Sequence, residues 1–150
     1  MTDCTIEDID AMEPVPEFED FVRNQIRSEA RHRIRRTPKS GDRGADLIFY
    51  SDALGKAGIV QCKHVSTPVN ALDTRAIKQL LRAKESYRSF LSKYDSEPVA
   101  LVVATNAEKV SGNFDSLCRE HGIYPILRDR ILDIGKHLAE ELGYGDSQPK

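Results

Sequence analysis

A chain of 150 residues with 39% hydrophobic side chains, 24 acids and 22 bases has enough apolar surface for one compact domain. A mean hydropathy of -0.49, no long uncharged apolar run and an acidic start exclude a membrane span and a secretory signal, and so predict a cytoplasmic protein. Three widely spaced cysteines, Cys4, Cys62 and Cys118, form no C-x-x-C pair and read as free thiols rather than a disulfide framework or zinc site.

The small net charge conceals a strong polarity. Residues 1 to 20 hold eight acids and no Lys or Arg, whereas residues 23 to 43 hold eight bases against two acids. A block this basic suits a polyanion such as nucleic acid, or equally a solvated helix face paired with the acids before it.

In chain order, residues 1–15 have the composition of an acidic mobile leader. From Pro16 the apolar positions Phe18, Phe21, Val22, Ile26 and Ala30 predict an amphipathic helix to about residue 32. Residues 34–38 suit a short strand. Residues 46–51 and 58–63 are strand-like runs joined by the turn in SDALGKAG, which completes a three-stranded antiparallel meander. After Pro68, Leu72, Ile77, Leu80, Leu81, Ala83, Tyr87 and Leu91 predict a long helix over about 71–94. PVALVVAT at 98–105 is a β-branched run suited to a strand buried on both faces. A helix over about 108–121 should stop at Gly122, and IYPIL at 123–127 is the last strand, parallel to its neighbour across that helix. A closing helix over 131–142 ends at Gly143, and 143–150 has linker composition. The order αβββαβαβ predicts an α/β fold over 16–142, with a central mixed sheet of about five strands flanked by helices.

The stretch SGDRGADLIFYSDALGKAGIVQCKHV carries the chemistry. With the turn centred between Leu54 and Gly55, Asp46 lies opposite Lys63. Strand alternation puts Gln61 on the same face and sends Cys62 towards the core with Val60. A carboxylate, an amide oxygen and an ammonium then converge. A hard cation such as Mg2+ takes oxygen ligands, here Asp46, Gln61 Oε1 and the backbone carbonyl of Cys62, and Lys63 can hold the attacking water of a phosphodiester hydrolysis. Gly41 and Gly44 allow close backbone approach; Asp42 reads as a turn residue. The same residues also fit an exposed Asp–Lys ion pair of little consequence.

GDRGADLIF followed by GIVQCKHV closely resembles the Mrr-like branch of the PD-(D/E)XK nucleases, in which glutamine commonly replaces the acid of the E-x-K element. The likeness runs from about Phe18 to Leu127 and takes in FEDFV, the Q-C-K strand, the long helix and VALVVATN. The resemblance implies a restriction-endonuclease-like core, Asp46 as the metal-binding aspartate, and Gln61 and Lys63 as the Q-x-K pair. It also implies Glu19 as the helix glutamate that restores the charge lost at Gln61, although a solvated helix acid explains Glu19 as well. Arg36, Lys39 and Arg43 flank the site and are candidates for DNA backbone contacts; His64, Gln79 and Arg82 are further ones, each also explained as a surface residue.

The expected function is a Mg2+-dependent DNA endonuclease, with Mn2+ able to substitute, acting on double-stranded DNA. The resemblance implies a role in bacterial restriction or anti-phage defence. With no zinc finger or separate helix-turn-helix, the chain reads as the effector domain of a longer protein, and a homodimer is compatible with cutting two strands. The rival readings are an inactive nuclease fold that only binds nucleic acid, an RNase or structure-selective nuclease, and a protein-interaction domain.

Overall fold

The computed structural model describes residues 4–13, 17–26, 33–36, 45–51, 56–67, 69, 71–86 and 100–141. Its elements are α1 (Ile6–Asp10), α2 (Glu19–Gln25), β1 (Arg33–Arg36), β2 (Ala45–Ser51), β3 (Lys56–Lys63), α3 (Arg75–Ser86), β4 (Ala100–Thr105), α4 (Phe114–His121), β5 (Ile123–Ile126), a 3-10 turn (Ile131–Asp133) and α5 (Ile134–Glu141). The strands lie side by side in the order β1-β2-β3-β4-β5. β1, β2 and β3 are antiparallel, and β3, β4 and β5 are parallel. This mixed α/β sheet flanked by helices is compatible with a restriction-endonuclease-like core. No helix among the described residues is long and apolar enough to cross a membrane.

Alternation along the strands makes two cores. One face carries Leu47, Phe49, Val60, Cys62, Val102 and Ala104, covered by Phe18, Val22 and Ile26 from the α2 region and by Ile134 and Leu138 of α5. The other carries Ile48, Ile59, Leu101 and Val103, covered by Ala76, Ile77, Leu80 and Ala83 of α3 and by Phe114 and Cys118 of α4. β4, buried almost throughout, packs both faces, which explains its unbroken apolar run. All three cysteines are free.

Three expectations change. Part of the acidic N-terminal stretch is built into the domain rather than lying outside it. Thr5 and Asp8 form a capping box that starts α1, and Ile9, fully buried, joins the α2-side core together with Ile6 and Met12 at its edge. The helix expected from residue 108 begins only at Phe114. Before it, Val110 bridges Leu72 and Gly112 takes φ 58, a left-handed conformation that interrupts helical geometry and costs glycine little. Gly122, at φ 68, ends α4 as predicted. The second long helix, expected from about residue 71, begins only at Arg75 and spans Arg75–Ser86, because Leu72 is taken up by its bridge to Val110; the first spans Glu19–Gln25, and residues 27–32 and 87–94 of the two expected helices lie outside the described residues.

Gly58 marks where β3 meets its neighbours most closely. A Cβ there would lie 2.5 Å from Phe49 Cζ and 2.8 Å from the Ala100 carbonyl oxygen. The phenyl ring can shift, but the β4 backbone cannot do so without breaking its ladder. Gly58→Ala is therefore expected to cost about 1–3 kcal/mol as overpacking, read from the urea midpoint. A loss below about 0.5 kcal/mol, the usual range of a surface change, would contradict this packing.

Candidate active site

The antiparallel register of β2 and β3 sets Asp46 opposite Gln61, not opposite Lys63. Ser51 already pairs with Lys56, so β3 begins two residues earlier than its apolar run suggests and the turn is centred one residue earlier. The pairing shifts by two residues, an even number, and the expected faces therefore survive. Asp46 and Gln61 are register partners, and the Gln61 side chain lies on the α3 side of the sheet. Lys63 lies one residue beyond the β2 ladder and pairs instead with Thr105 of β4.

Gln61 is 0% exposed, between the β2 and β4 backbones. Its Nε2 donates to Gln79 Oε1 on α3 at 3.2 Å, while its Oε1 is buried with no hydrogen-bond partner among the described residues. Buried amide oxygens are normally paired, so this one is suited to an oxygen-seeking cation. Among the described residues no three His, Cys, Asp or Glu side chains gather as a metal cluster; the fit rests on the Gln61 oxygen and on the position of Asp46 beside it. Cys62, 5% exposed, turns its side chain into the core, leaving only its backbone at the site.

Lys63 is half-buried, and its charge reaches Asp73 at the start of α3. The Arg75 side chain chiefly, then the Arg75 N–H and the Lys63 ammonium, hold the Asp73 carboxyl below its usual range. Gln79 is half-buried at the border of the covered face of α3, and Arg75, Lys78 and Arg82 are exposed beside it. Spacings of three and four residues put these three bases on one edge of the helix, alongside the Gln61 contact.

The other sequence candidates are distributed as follows. Glu19 is 1% exposed at the first turn of α2, the helix that covers the sheet face opposite α3; carboxylates are almost never so buried unless compensated. Arg36 pairs with Leu47, the neighbour of Asp46, in the β1–β2 register. Lys39 and Arg43, with Gly41, Asp42 and Gly44, lie outside the described residues. His64 donates Nε2 to the Ile9 carbonyl at 2.8 Å and meets the Phe18 ring edge-on at 5.3 Å. These contacts fasten α1 to the strand end just past Lys63.

Sequence reading missed the group that fixes this strand end. Asn106, 0% exposed, accepts from the Val65 N–H at 2.8 Å and donates to the Val65 carbonyl at 2.9 Å and to Asp10 Oδ1 at 3.1 Å. Arg128 donates to both Asp10 oxygens, at 2.6 and 2.9 Å. The clasp ties α1, the exits of β3 and β4 and the segment after β5 into one unit around Lys63. The available signal was the asparagine ending VVATN, a polar residue at the mouth of a buried strand.

The Arg128 hydrogen bonds hold the Asp10 carboxyl below its ordinary 3.8. Folded Asp10 thus binds fewer protons than unfolded Asp10 as pH falls, so its contribution is complete above pH 3.8 and disappears as pH drops through the lower folded value. Both groups are partly exposed, which screens the interaction. Asp10→Asn is expected to destabilise at about pH 6 by roughly 1 kcal/mol and by much less at about pH 3. Urea unfolding at both values checks this; an equal difference at both would contradict the ion pair.

The family model described as restriction endonuclease, of the Mrr catalytic type, matches residues 9–96, more than half of the chain. Comparison with curated proteins and with solved structures finds no match.

Proposed function

The chain belongs to the restriction endonuclease family of the Mrr catalytic type, and from that premise we propose that it hydrolyses phosphodiester bonds of double-stranded DNA with a divalent cation held at the β2–β3 pair. Family membership makes the domain a nuclease and DNA its implied substrate. The observation that carries the finer reading is the buried Gln61 Oε1, without a hydrogen-bond partner among the described residues, on the strand position in register with Asp46. Asp46, Gln61 Oε1 and the Cys62 carbonyl would hold Mg2+ or Mn2+, with Glu19 as a further carboxylate candidate.

The cation, when bound, supplies charge neutralisation at the scissile phosphate and favours the hydroxide form of water. The chain's own part is positioning and electrostatics. Lys63, held half-buried at the exit of β3, presents an ammonium that orients the attacking water and offsets negative charge as the pentavalent phosphorus forms. Asp46 contributes the formal negative charge that the neutral Gln61 does not. Arg75, Lys78 and Arg82 on the α3 edge, with Arg36, Lys39 and Arg43, would contact phosphates and fix register without reading bases, whereas His64 is engaged with the Ile9 carbonyl and the Phe18 ring. Bacterial restriction or defence, a cytoplasmic location, action as an effector within a longer chain and a homodimer for double-strand cutting belong to the same reading.

The test is nicking of supercoiled plasmid by the purified chain with Mg2+ or Mn2+ against EDTA. Metal-dependent nicking is expected. DNA binding that persists in EDTA and weakens with salt, without cleavage in either metal, would replace this reading by that of a binding module; cleavage of RNA alone would move it to a ribonuclease.

A further inference from the structure

We propose that Gln79 is a positioning residue that sets which end of the Gln61 amide faces the metal site. This rests on the reading of the β2–β3 pair as that site. A glutamate at position 61 would present two equivalent oxygens, so rotation about its last bond would change nothing. A glutamine has one oxygen and one NH2 group. A half-turn would put a donor where a cation needs a lone pair, reversing the interaction from attraction to repulsion.

At an exposed position water would serve either orientation. Gln61 is 0% exposed, so its neighbours decide. The acceptor facing it is Gln79 Oε1, which takes the Nε2 proton at 3.2 Å and leaves Gln61 Oε1 as the end without a partner among the described residues. Flipping the Gln61 amide against Gln79 as it stands would set oxygen against oxygen, and a matching half-turn of Gln79 would still leave the Gln61 NH2 group buried without an acceptor among the described residues, a cost of the kind that buried polar groups avoid. Gln79 can play this part because α3 packs Ala76, Leu80 and Ala83 firmly on the sheet, which fixes the helix face from which it reaches across. The charge lost on replacing glutamate by glutamine is thus accompanied by a second requirement, orientation, and α3 meets it.

The experiment is Mn2+ titration calorimetry on the full chain, with Gln79→Leu, Gln79→Glu and the same Leu substitution in a Gln61→Glu background. Outer-shell partners of metal ligands typically govern affinity by about 10–100-fold, so Gln79→Leu is expected to weaken Mn2+ binding by at least about tenfold. Gln79→Glu, which keeps the acceptor, should restore it to within about threefold, and with Gln61→Glu the leucine substitution should change affinity less than about twofold. Equal losses in both backgrounds, or no loss in either, would overturn the proposal while leaving the metal site standing. Absence of Mn2+ binding in the wild type would overturn the metal site and the proposal together. A measurement that needs no variant adds to this: the Gln61 side-chain NH2 in the wild-type 15N spectrum should show one orientation with slowed proton exchange, and two interconverting populations would overturn the clamp.

Discussion

Lys63→Ala is expected to lower metal-dependent DNA cleavage by at least about a hundredfold, the scale on which a single preorganised group aimed at developing charge is felt, while DNA affinity stays within about threefold because most of it comes from other phosphate contacts. The expectation follows from where the lysine stands. β3 carries Gln61 and Lys63 on one face, β4 holds the strand exit through the Lys63–Thr105 pairing, and Lys63 is half-buried, so that its side chain is held at the site by its surroundings. Asp46→Ala should give a comparable loss of rate and also abolish measurable Mn2+ binding, since it removes the formal negative charge opposite Gln61. Initial nicking rates and filter binding on the same preparations check both. A Lys63→Ala protein that cleaves within tenfold of the wild type would remove the lysine from the chemistry.

Asn106→Ala is expected to destabilise the domain by about 2 kcal/mol, because at a fully buried position it strands both the N–H and the carbonyl of Val65 and removes one donor from Asp10. Asn106 is a complete match to its surroundings: its amide oxygen has the Val65 N–H, and its NH2 group has the Val65 carbonyl and Asp10. Alanine leaves these groups and a cavity the size of the amide. Val65 is two residues past Lys63, so the same change should loosen the exit of β3 and lower cleavage at temperatures where the fold persists. Chemical unfolding and the rate at about 15 °C measure the two effects; a loss under about 1 kcal/mol would mean that water takes over the amide's role at little cost.

The parts of this molecule that were legible in its sequence are those set by local periodicity. Alternation alone sends Cys62 into the core and Gln61 and Lys63 to the other face, and the unbroken run at 100–105 marks β4 as covered on both sides. Gly122 stops α4 where a left-handed glycine would. What escaped depends on partners distant in sequence or on single-residue details of turns. The β2–β3 register is set by how many residues the hairpin loop consumes, and a one-residue change in the turn centre moves the partner of Asp46 by two. α1 is short and mostly acidic, and its two apolar side chains, Ile6 and Ile9, have meaning only once the sheet face that receives them exists. The Asn106 clasp joins residues 41 and 96 positions apart, and Gln79 is an ordinary polar helix residue until α3 is set against β3. The polar groups that hold the candidate site together are the ones that periodicity cannot reveal.

Whether a divalent cation is held between β2 and β3 can be read by letting the metal report its own position. The wild-type chain is loaded with Fe2+ in place of Mg2+ and treated with ascorbate and peroxide, so that radicals generated at the bound iron cut the nearest polypeptide, and the fragments are mapped by mass spectrometry. Cuts are expected to cluster at the start of β2 around Asp46 and at the end of β3 from Gln61 to Lys63, suppressed by excess Mg2+ and absent in Asp46→Ala. Cuts concentrated elsewhere on the chain, or an unchanged pattern in Asp46→Ala, would contradict a cation held there.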